Sequence, residues 1–156
     1  TLREVLDQFG QGMADGARLK AVQVGGPLGS LFTDAQLDIP ICFDAFAKAD
    51  AILGHGGIVV FDDETDMLEL SRHLMAFVAD ESCGKCVPCR IGSLRAREIL
   101  DAIQAGQATE ADLSLLTELG DTMKAASLCG LGARAPYPVL SALEQFPVEF
   151  RSRLRS

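Results

Sequence analysis

Four cysteines are spaced in a way that is typical of metal-binding proteins. Cys83, Cys86 and Cys89 follow one another with two residues between neighbours, and Cys129 comes much later, in the stretch SLCGLG. Two-residue gaps let successive sulfurs converge on one centre while the backbone curls around it. A fourth thiolate from elsewhere in the fold then completes the ligand set of a [4Fe–4S] cluster. We therefore predict an iron–sulfur centre held by these four cysteines.

Two other chemistries use cysteines at related spacings. Zinc also takes four cysteines, but its usual arrangement is two separated C-x-x-C pairs. A thioredoxin-like redox site needs one isolated C-x-x-C pair beside a βαβ pattern. The division into three clustered cysteines and one distant cysteine is less typical of either site. The pattern favours an iron–sulfur cluster and leaves zinc binding and thiol redox chemistry open.

Three further side chains are candidates because of their position. Lys85 and Arg90 lie within the cysteine segment, where their positive charge would either raise the reduction potential of a cluster or simply be solvated. The fifth cysteine, Cys42, lies among apolar residues in IPICFDAF. We expect it to be a free thiol that is buried as a small hydrophobic side chain.

Composition and charge exclude several classes of protein. The chain has 156 residues, of which 48% are hydrophobic and 23% charged, as in globular domains. Its 22 acidic and 14 basic side chains give a formal net charge of −8. This charge argues against binding to nucleic acid or to an anionic membrane. The sequence contains no apolar run of about 20 residues and no P-loop or H-E-x-x-H motif. Because it begins at Thr1 within a predicted helix, we expect a fragment or a processed chain.

The first part of the chain predicts a small α+β domain. TLREVLDQFG resembles a short helix with a capping box, and RLKAVQVGG a strand followed by a turn. QLDIPICF is expected to be a weak strand or an extended segment, because Pro40 restricts the residue before it. GGIVVFDD is expected to be a buried strand.

The remainder of the chain predicts four helices joined by short links, which together make a bundle. The second helix is expected to begin near Pro88, so that Cys89 lies in its first turn. There the positive end of the helix dipole would favour an anionic cluster. The expected buried faces of the first two helices include Met67, Leu70, Leu74, Phe77 and Val78, and then Ile91, Leu94, Ile99 and Ile103.

The stretch ESCGKCVPCRIG resembles the signature of the NADH-oxidising flavoprotein subunit of respiratory complex I. This family has relatives in NAD-dependent formate dehydrogenases and NAD-linked hydrogenases. The similarity continues through GHGGIVVFDDETDM, through the spacing to Cys129, and through CGLGARAPYPVLSALEQF, so it covers nearly the whole chain. Within the family, GLGARAPYPVL is most similar to the β subunit of formate dehydrogenases.

The resemblance implies an α+β chain of two domains. Residues 1–62 would be a ubiquitin-like β-grasp domain of the soluble-ligand-binding class, truncated because its usual first hairpin is missing. Residues 63–156 would be a four-helix bundle that binds one [4Fe–4S] cluster. The family's cluster ligands correspond here to Cys83, Cys86, Cys89 and Cys129.

The resemblance also implies a redox role. In the family, an N-terminal Rossmann-like domain binds FMN and NADH, and the flavin passes single electrons to the cluster. The glycine-rich flavin-binding segment is missing here, so this chain alone is expected not to be catalytic. Gly130 and Leu131 match positions that approach FMN. The expected partners are other subunits of the parent complex, including a thioredoxin-like [2Fe–2S] subunit and an iron–sulfur-rich subunit. The expected location is cytoplasmic, or peripheral on the cytoplasmic side of a membrane complex.

Three functional hypotheses follow from the sequence. The first is an electron-transfer module of an NAD-linked oxidoreductase. The second is a structural or docking module that is stabilised by zinc on four cysteines. The third is a ligand-binding β-grasp domain without a redox role, which would require a concave apolar pocket within residues 1–62.

Overall fold

A computed structural model of the chain describes residues 1–10, 12–13 and 16–155. The chain divides into two units, Thr1–Thr65 and Asp66–Ser156. Among the described residues, the strands lie in the first unit and the long helices in the second, so the fold mixes helix and sheet. No helix in these residues is long and apolar enough to cross a lipid bilayer.

The first unit contains a three-stranded antiparallel sheet with the strand order β2-β1-β3. In the register of the sheet, Val22 of the central strand lies opposite Phe32 on one side and Val60 on the other. The elements are α1 (Leu2–Gln8), β1 (Leu19–Val24), β2 (Ser30–Phe32), a 3₁₀ turn (Asp34–Gln36), α2 (Phe43–Lys48) and β3 (Ile58–Asp62).

Local sequence signals explain these elements. Thr1 and Glu4 form the predicted capping box at the start of α1, which satisfies amide groups that the first turn leaves unpaired. Alternate residues of β1 point into a core in which the rings of Phe32 and Phe46 meet edge to face, with their centroids 5.3 Å apart. The buried core consists of Leu2, Val22, Val24, Phe32, Leu37, Phe46 and Ala51.

Three expectations for the first unit are wrong. The strand in GGIVVFDD forms, but Val59 and Val60 are exposed, because among the described strands β3 pairs with β1 alone and lies at the sheet edge. The segment QLDIPICF is neither a strand nor extended; after the end of the 3₁₀ turn it runs through turns and bends into α2. Cys42 is exposed rather than buried, because it is the N-terminal cap of α2 and precedes the buried face of that helix.

The second unit consists of helices joined by short links. Among the described residues, four of these helices have ten or more residues. One short helix follows the third long helix, and another follows the fourth. They are α3 (Met67–Glu81), α4 (Val87–Gln104), α5 (Glu110–Ala126), α6 (Gly130–Arg134), α7 (Pro136–Gln145) and α8 (Pro147–Arg151).

The buried face of α4 differs from the predicted face. Ile99 and Ile103 are buried as expected, but Ile91 and Leu94 are exposed. Near the start of α4 the buried positions are small residues, because α4 and α5 approach closely: a Cβ on Gly92 would meet the Met123 side chain at 2.6 Å. Larger side chains are therefore displaced to the outer face. In α3, Phe77 is likewise exposed, whereas the rest of the predicted stripe is buried or half-buried.

Helices of nearly equal length return the chain to the same end of the unit. The 18 residues of α4 and the 17 residues of α5 each span about 25–27 Å at 1.5 Å per residue. The two helices pack against each other and are joined by a short loop. The end of α5 therefore lies near the start of α4, where the clustered cysteines are.

Asp66 joins the start of α3 to the end of the chain. Its carboxylate accepts hydrogen bonds from the amides of Leu68 (2.9 Å) and Glu69 (3.1 Å) and forms an ion pair with Arg153. Arg153 also donates to the Gln104 side chain at the end of α4, at 2.8 Å. Burial opposes the charged form of Asp66, but Arg153 and the two amides outweigh this cost and hold its pKa below the ordinary value.

Replacing Asp66 by alanine should lower the free energy of unfolding at pH 7 by about 1–2 kcal/mol, because the helix loses its cap. A carboxylate with a depressed pKa stabilises the fold above its unfolded pKa of about 3.9, and this contribution is lost as the pH falls through the folded pKa. Urea unfolding at several pH values should therefore show that the difference in the free energy of unfolding between the unsubstituted chain and Asp66→Ala becomes smaller in acid. Asp80→Ala, on the exposed last turn of α3, is the control and should change stability by less than about 0.5 kcal/mol. An Asp66→Ala effect that persists unchanged in acid would contradict this assignment.

Candidate metal centre

The three clustered cysteines lie between α3 and α4. Cys83 follows the last turn of α3, and the chain then turns at Gly84, whose φ of +73° is in the left-handed region that favours glycine. Cys86 is the N-terminal cap of α4, and Cys89 lies in the first turn of that helix, as the sequence predicts. The start of an 18-residue helix therefore directs its positive dipole end toward this segment.

Cys129 reaches the same end of the unit from the other side. The helix α5 ends at Ala126, and three residues later Cys129 forms the N-terminal cap of the short helix α6. Cys129 and Cys83 are exposed, Cys86 is half-buried and Cys89 is buried. The four cysteines therefore span the boundary between the protein interior and its surface.

All four cysteines line one cavity of about 130 Å³. The helix lengths explain this convergence, because α5 brings the chain back to the start of α4. The cavity wall also contains Lys85 and two leucines from the segment that carries Cys129. Its lining residues are Ser82, Cys83, Lys85, Cys86, Cys89, Leu128, Cys129 and Leu131.

The cysteines share a cavity without meeting at a point. Among the described residues, no group of three or more His, Cys, Asp or Glu side chains is arranged so that it could hold a metal ion. Four thiolates around one Zn²⁺, each about 2.3 Å from the metal, must come within about 4.6 Å of one another. In a [4Fe–4S] cluster each thiolate binds a different corner, so the ligands stand further apart. The four cysteines that line this cavity are the donors that either group would use.

Backbone amides favour a thiolate at Cys86. The amides of Leu128 and Cys89 donate to its sulfur and, with the nearby charge of Arg90, hold the pKa of the thiol below its ordinary value. Thiolates are the form in which cysteine binds metals. Arg90 also donates to the carbonyl oxygen of Gly84, which ties the loop between α3 and α4 to the first turn of α4.

Gly132 allows α6 to pack directly against the cysteine segment. A Cβ at this position would lie 2.7 Å from the Cβ of Cys89 and 2.5 Å from the hydroxyl oxygen of Ser127. Real Cβ atoms do not approach neighbours this closely, so only glycine fits without a shift. Since Gly132 is three residues after Cys129, this contact positions the fourth cysteine relative to the other three.

One buried hydroxyl near the cavity lacks a partner. In the described part of the chain, the buried hydroxyl oxygens of Ser30, Ser93 and Ser127 make no hydrogen bond. Ser127 is beside the Cys89 side chain, as the contacts of Gly132 show. Unpartnered buried polar groups are costly in folded proteins. Ser127 does not itself line the cavity.

The two positions expected near a flavin differ in their surroundings. Leu131 lines the cysteine cavity, whereas Gly130 is exposed, and a Cβ at that position would meet open space. Their proximity to FMN stays a prediction.

Sequence reasoning missed two side chains of the site. Ser82 and Ser127 each lie next to the cysteine segments, but hydroxyls beside cysteines have no distinctive sequence pattern. Only the folded chain brings the Ser82 oxygen to 3.3 Å from the Cys89 sulfur.

A comparison with protein-family models matches residues 69–153 to the NADH-ubiquinone oxidoreductase-F iron-sulfur binding region, which is a [4Fe–4S] family. The matched range contains Cys83, Cys86, Cys89 and Cys129 and the cavity that they line.

Curated relatives match along almost the whole chain. The chain is 43% identical over 154 residues to the NADP-reducing hydrogenase subunit HndC of Solidesulfovibrio fructosivorans, covering 99% of this chain and 31% of that protein. It is 36% identical over 154 residues to a NADH-quinone oxidoreductase subunit of Streptomyces coelicolor, and 35% identical over 156 residues to the subunit of the same name in Escherichia coli. Each alignment covers 99% of this chain, and 34% and 35% of the two relatives. The chain therefore spans about a third of the length of these proteins.

A solved structure has a similar fold. The crystal structure of NAD⁺-reducing [NiFe]-hydrogenase in the H₂-reduced state matches with a TM-score of 0.78 and 35% sequence identity. The match covers 88% of this chain and 23% of that chain.

Replacing Gly132 by alanine should displace α6 and with it Cys129. We expect less iron and sulfide bound per chain after anaerobic reconstitution, and a loss of about 1–3 kcal/mol in the free energy of unfolding from the overpacked contact. Gly130→Ala is the matched control, because a Cβ there meets open space and the glycine needs no left-handed backbone. If Gly132→Ala binds as much iron as Gly130→Ala, the close contact does not position the fourth cysteine.

Proposed function

The chain belongs to the family of NADH-ubiquinone oxidoreductase-F iron-sulfur binding regions, and we propose that it relays single electrons through a [4Fe–4S] cluster held by Cys83, Cys86, Cys89 and Cys129. The observation that carries this proposal is the cavity that these four side chains share. When bound, the cluster supplies a carrier for one electron.

The residues of the chain have distinct parts in this function. The four cysteines hold the cluster, and the amides of Leu128 and Cys89 stabilise negative charge on one ligand sulfur. Lys85 lines the cavity, and its positive charge offsets part of the charge of an anionic cluster. Leu128 and Leu131 line the cavity with apolar side chains, and an apolar surrounding influences the reduction potential of a cluster.

We propose the finer fold assignment on the same basis. The three-stranded antiparallel sheet and its short helices support a β-grasp domain for the first part of the chain, about residues 1–62. The four longer helices of the second part support a cluster-binding four-helix bundle, about residues 63–156.

The electron donor and acceptor belong to a larger enzyme. We propose an NAD-linked parent in which FMN and NADH bind outside this chain and the flavin exchanges electrons with the cluster near Gly130 and Leu131. The parent is of the formate dehydrogenase or NADH:quinone oxidoreductase kind. Its partners include a thioredoxin-like [2Fe–2S] subunit and an iron–sulfur-rich subunit, on the cytoplasmic side of a membrane where one is present. The names of the curated relatives, which are those of enzyme subunits, support a multi-subunit parent.

The ligand-sensor hypothesis has one observation in its favour. The first unit contains a concave cavity of about 180 Å³ whose wall includes Leu6, Leu19, Leu37 and Val60. The cation at its rim, Arg3, is already engaged by Asp34 and Asp38, at 2.9 and 2.8 Å, and so offers little to a ligand. The electron relay therefore remains the proposed function.

Replacing Cys129 by serine should prevent normal cluster ligation and leave most helices formed. The chain, purified anaerobically, should contain about four irons and four sulfides and give an EPR signal after reduction by dithionite. Cys129→Ser should lose most of this iron and signal, while its helical circular dichroism persists. The control is Cys42→Ser, which removes an exposed thiol of the first unit that does not line the cavity.

Two results would overturn the proposal. One zinc and no sulfide in the anaerobically purified chain would favour a structural module. A full complement of iron with unchanged redox behaviour in Cys129→Ser would exclude that residue as a ligand.

A further inference from the structure

Ser82 lies between the end of α3 and the cysteine loop. It is the C-terminal cap of α3, and its extended backbone (φ −65°, ψ 121°) turns the chain out of the helix. Its hydroxyl oxygen is 3.3 Å from the sulfur of Cys89 and also accepts a hydrogen bond from the amide of Gly84, at 3.4 Å. The side chain therefore connects the loop to the one cysteine that is buried.

The direction of the contact with Cys89 follows from the state of the sulfur. A cysteine that binds iron is a thiolate and has no proton to donate. The hydroxyl of Ser82 already accepts from Gly84, and its own proton is free to point at the sulfur. In the loaded protein Ser82 must therefore donate, and a hydrogen bond to a charged acceptor is stronger than one between neutral groups.

The surroundings hold this geometry in place. Arg90 donates to the carbonyl oxygen of Gly84. Since the amide of Gly84 donates to Ser82, the loop that holds the Ser82 hydroxyl is itself connected to α4. Cys89 is 5% exposed, and a hydrogen bond to a buried sulfur is less weakened by water than one at the surface. In contrast, Lys85 and Arg90 are exposed, so solvent screens their effect on the cluster.

We propose that Ser82 is a positioning residue that raises the reduction potential of the cluster through its hydrogen bond to the Cys89 sulfur. This inference rests on the proposed function. Reduction adds one electron, whose negative charge is shared by the cluster and its ligand sulfurs. A donor aimed at one of these sulfurs stabilises the reduced form more than the oxidised form, and hydrogen bonds to sulfur are among the determinants of cluster potential.

The test compares variants of the whole chain loaded with its cluster under anaerobic conditions. The reduction potential is measured by a titration followed by EPR, and exchangeable protons near the cluster by pulsed EPR in H₂O and D₂O. Ser82→Ala should shift the potential to more negative values and lose one exchangeable-proton coupling. Ser82→Thr, which keeps the hydroxyl, should retain the coupling and stay close to the unsubstituted potential.

A matched pair and a control separate this effect from a structural one. The side chains of Ser82→Val and Ser82→Thr have the same shape, and only threonine has a hydroxyl. If Ser82→Ala binds too little iron, this pair shows whether the hydroxyl raises the reduction potential. Ser71→Ala removes a buried hydroxyl of the same helix, which donates to the Met67 carbonyl oxygen at 2.7 Å and does not line the cavity. It should leave the potential and the proton couplings unchanged.

The outcomes distinguish the two proposals. Equal potentials and equal proton couplings in Ser82→Val and Ser82→Thr, with the cluster present, would overturn the role of Ser82 and leave the electron relay intact. Absence of iron and sulfide from the unsubstituted chain would instead overturn the proposed function.

Discussion

The site depends on one close contact, between α6 and the first turn of α4. Gly132 leaves no room for a Cβ beside Cys89 and Ser127, and this approach sets the position of Cys129. The other features of the site follow from it, because only then do the two cysteine segments line one cavity. The packing of α4 on α5 and the similar lengths of these helices provide the framework for this contact.

Placing several thiolates at the edge of a protein interior is costly unless their charge is stabilised. The structure does this with groups that the fold supplies locally: amides at the ends of α4 and of the Leu128 segment, a helix dipole, and a hydroxyl at the end of α3. Cys89 lies in the first turn of α4, where backbone N–H groups have no partner within the helix, whereas Leu128 lies in the link before α6 and Ser82 caps the end of α3. The start of α4 therefore favours an anion, and the link and the α3 cap add donors from outside that helix.

The site and the elements around it were predictable to different degrees. The capping box at Thr1, the strand after Arg18 and the start of α4 near Pro88 depend on short-range signals and are found as expected. Burial was less predictable. Ile91 and Leu94 fit a helical stripe, yet close packing at Gly92 and Ser93 moves the buried face, and Val59 and Val60 are exposed on an edge strand. Such outcomes depend on neighbours that are distant in the chain.

The sequence by itself determined which atoms are available for chemistry: four cysteines, three of them separated by two residues, in an acidic chain whose predicted helix begins near Pro88 and has Cys89 in its first turn. Spacing is enough to predict that the three clustered cysteines lie close together, because residues two or three apart in the chain are necessarily neighbours. Only the tertiary structure decided that Cys129 lines the same cavity as the other three and that Ser82 lies against Cys89. These relations depend on helix lengths, on the direction of each link and on close contacts at single glycines, which no local pattern of residues specifies.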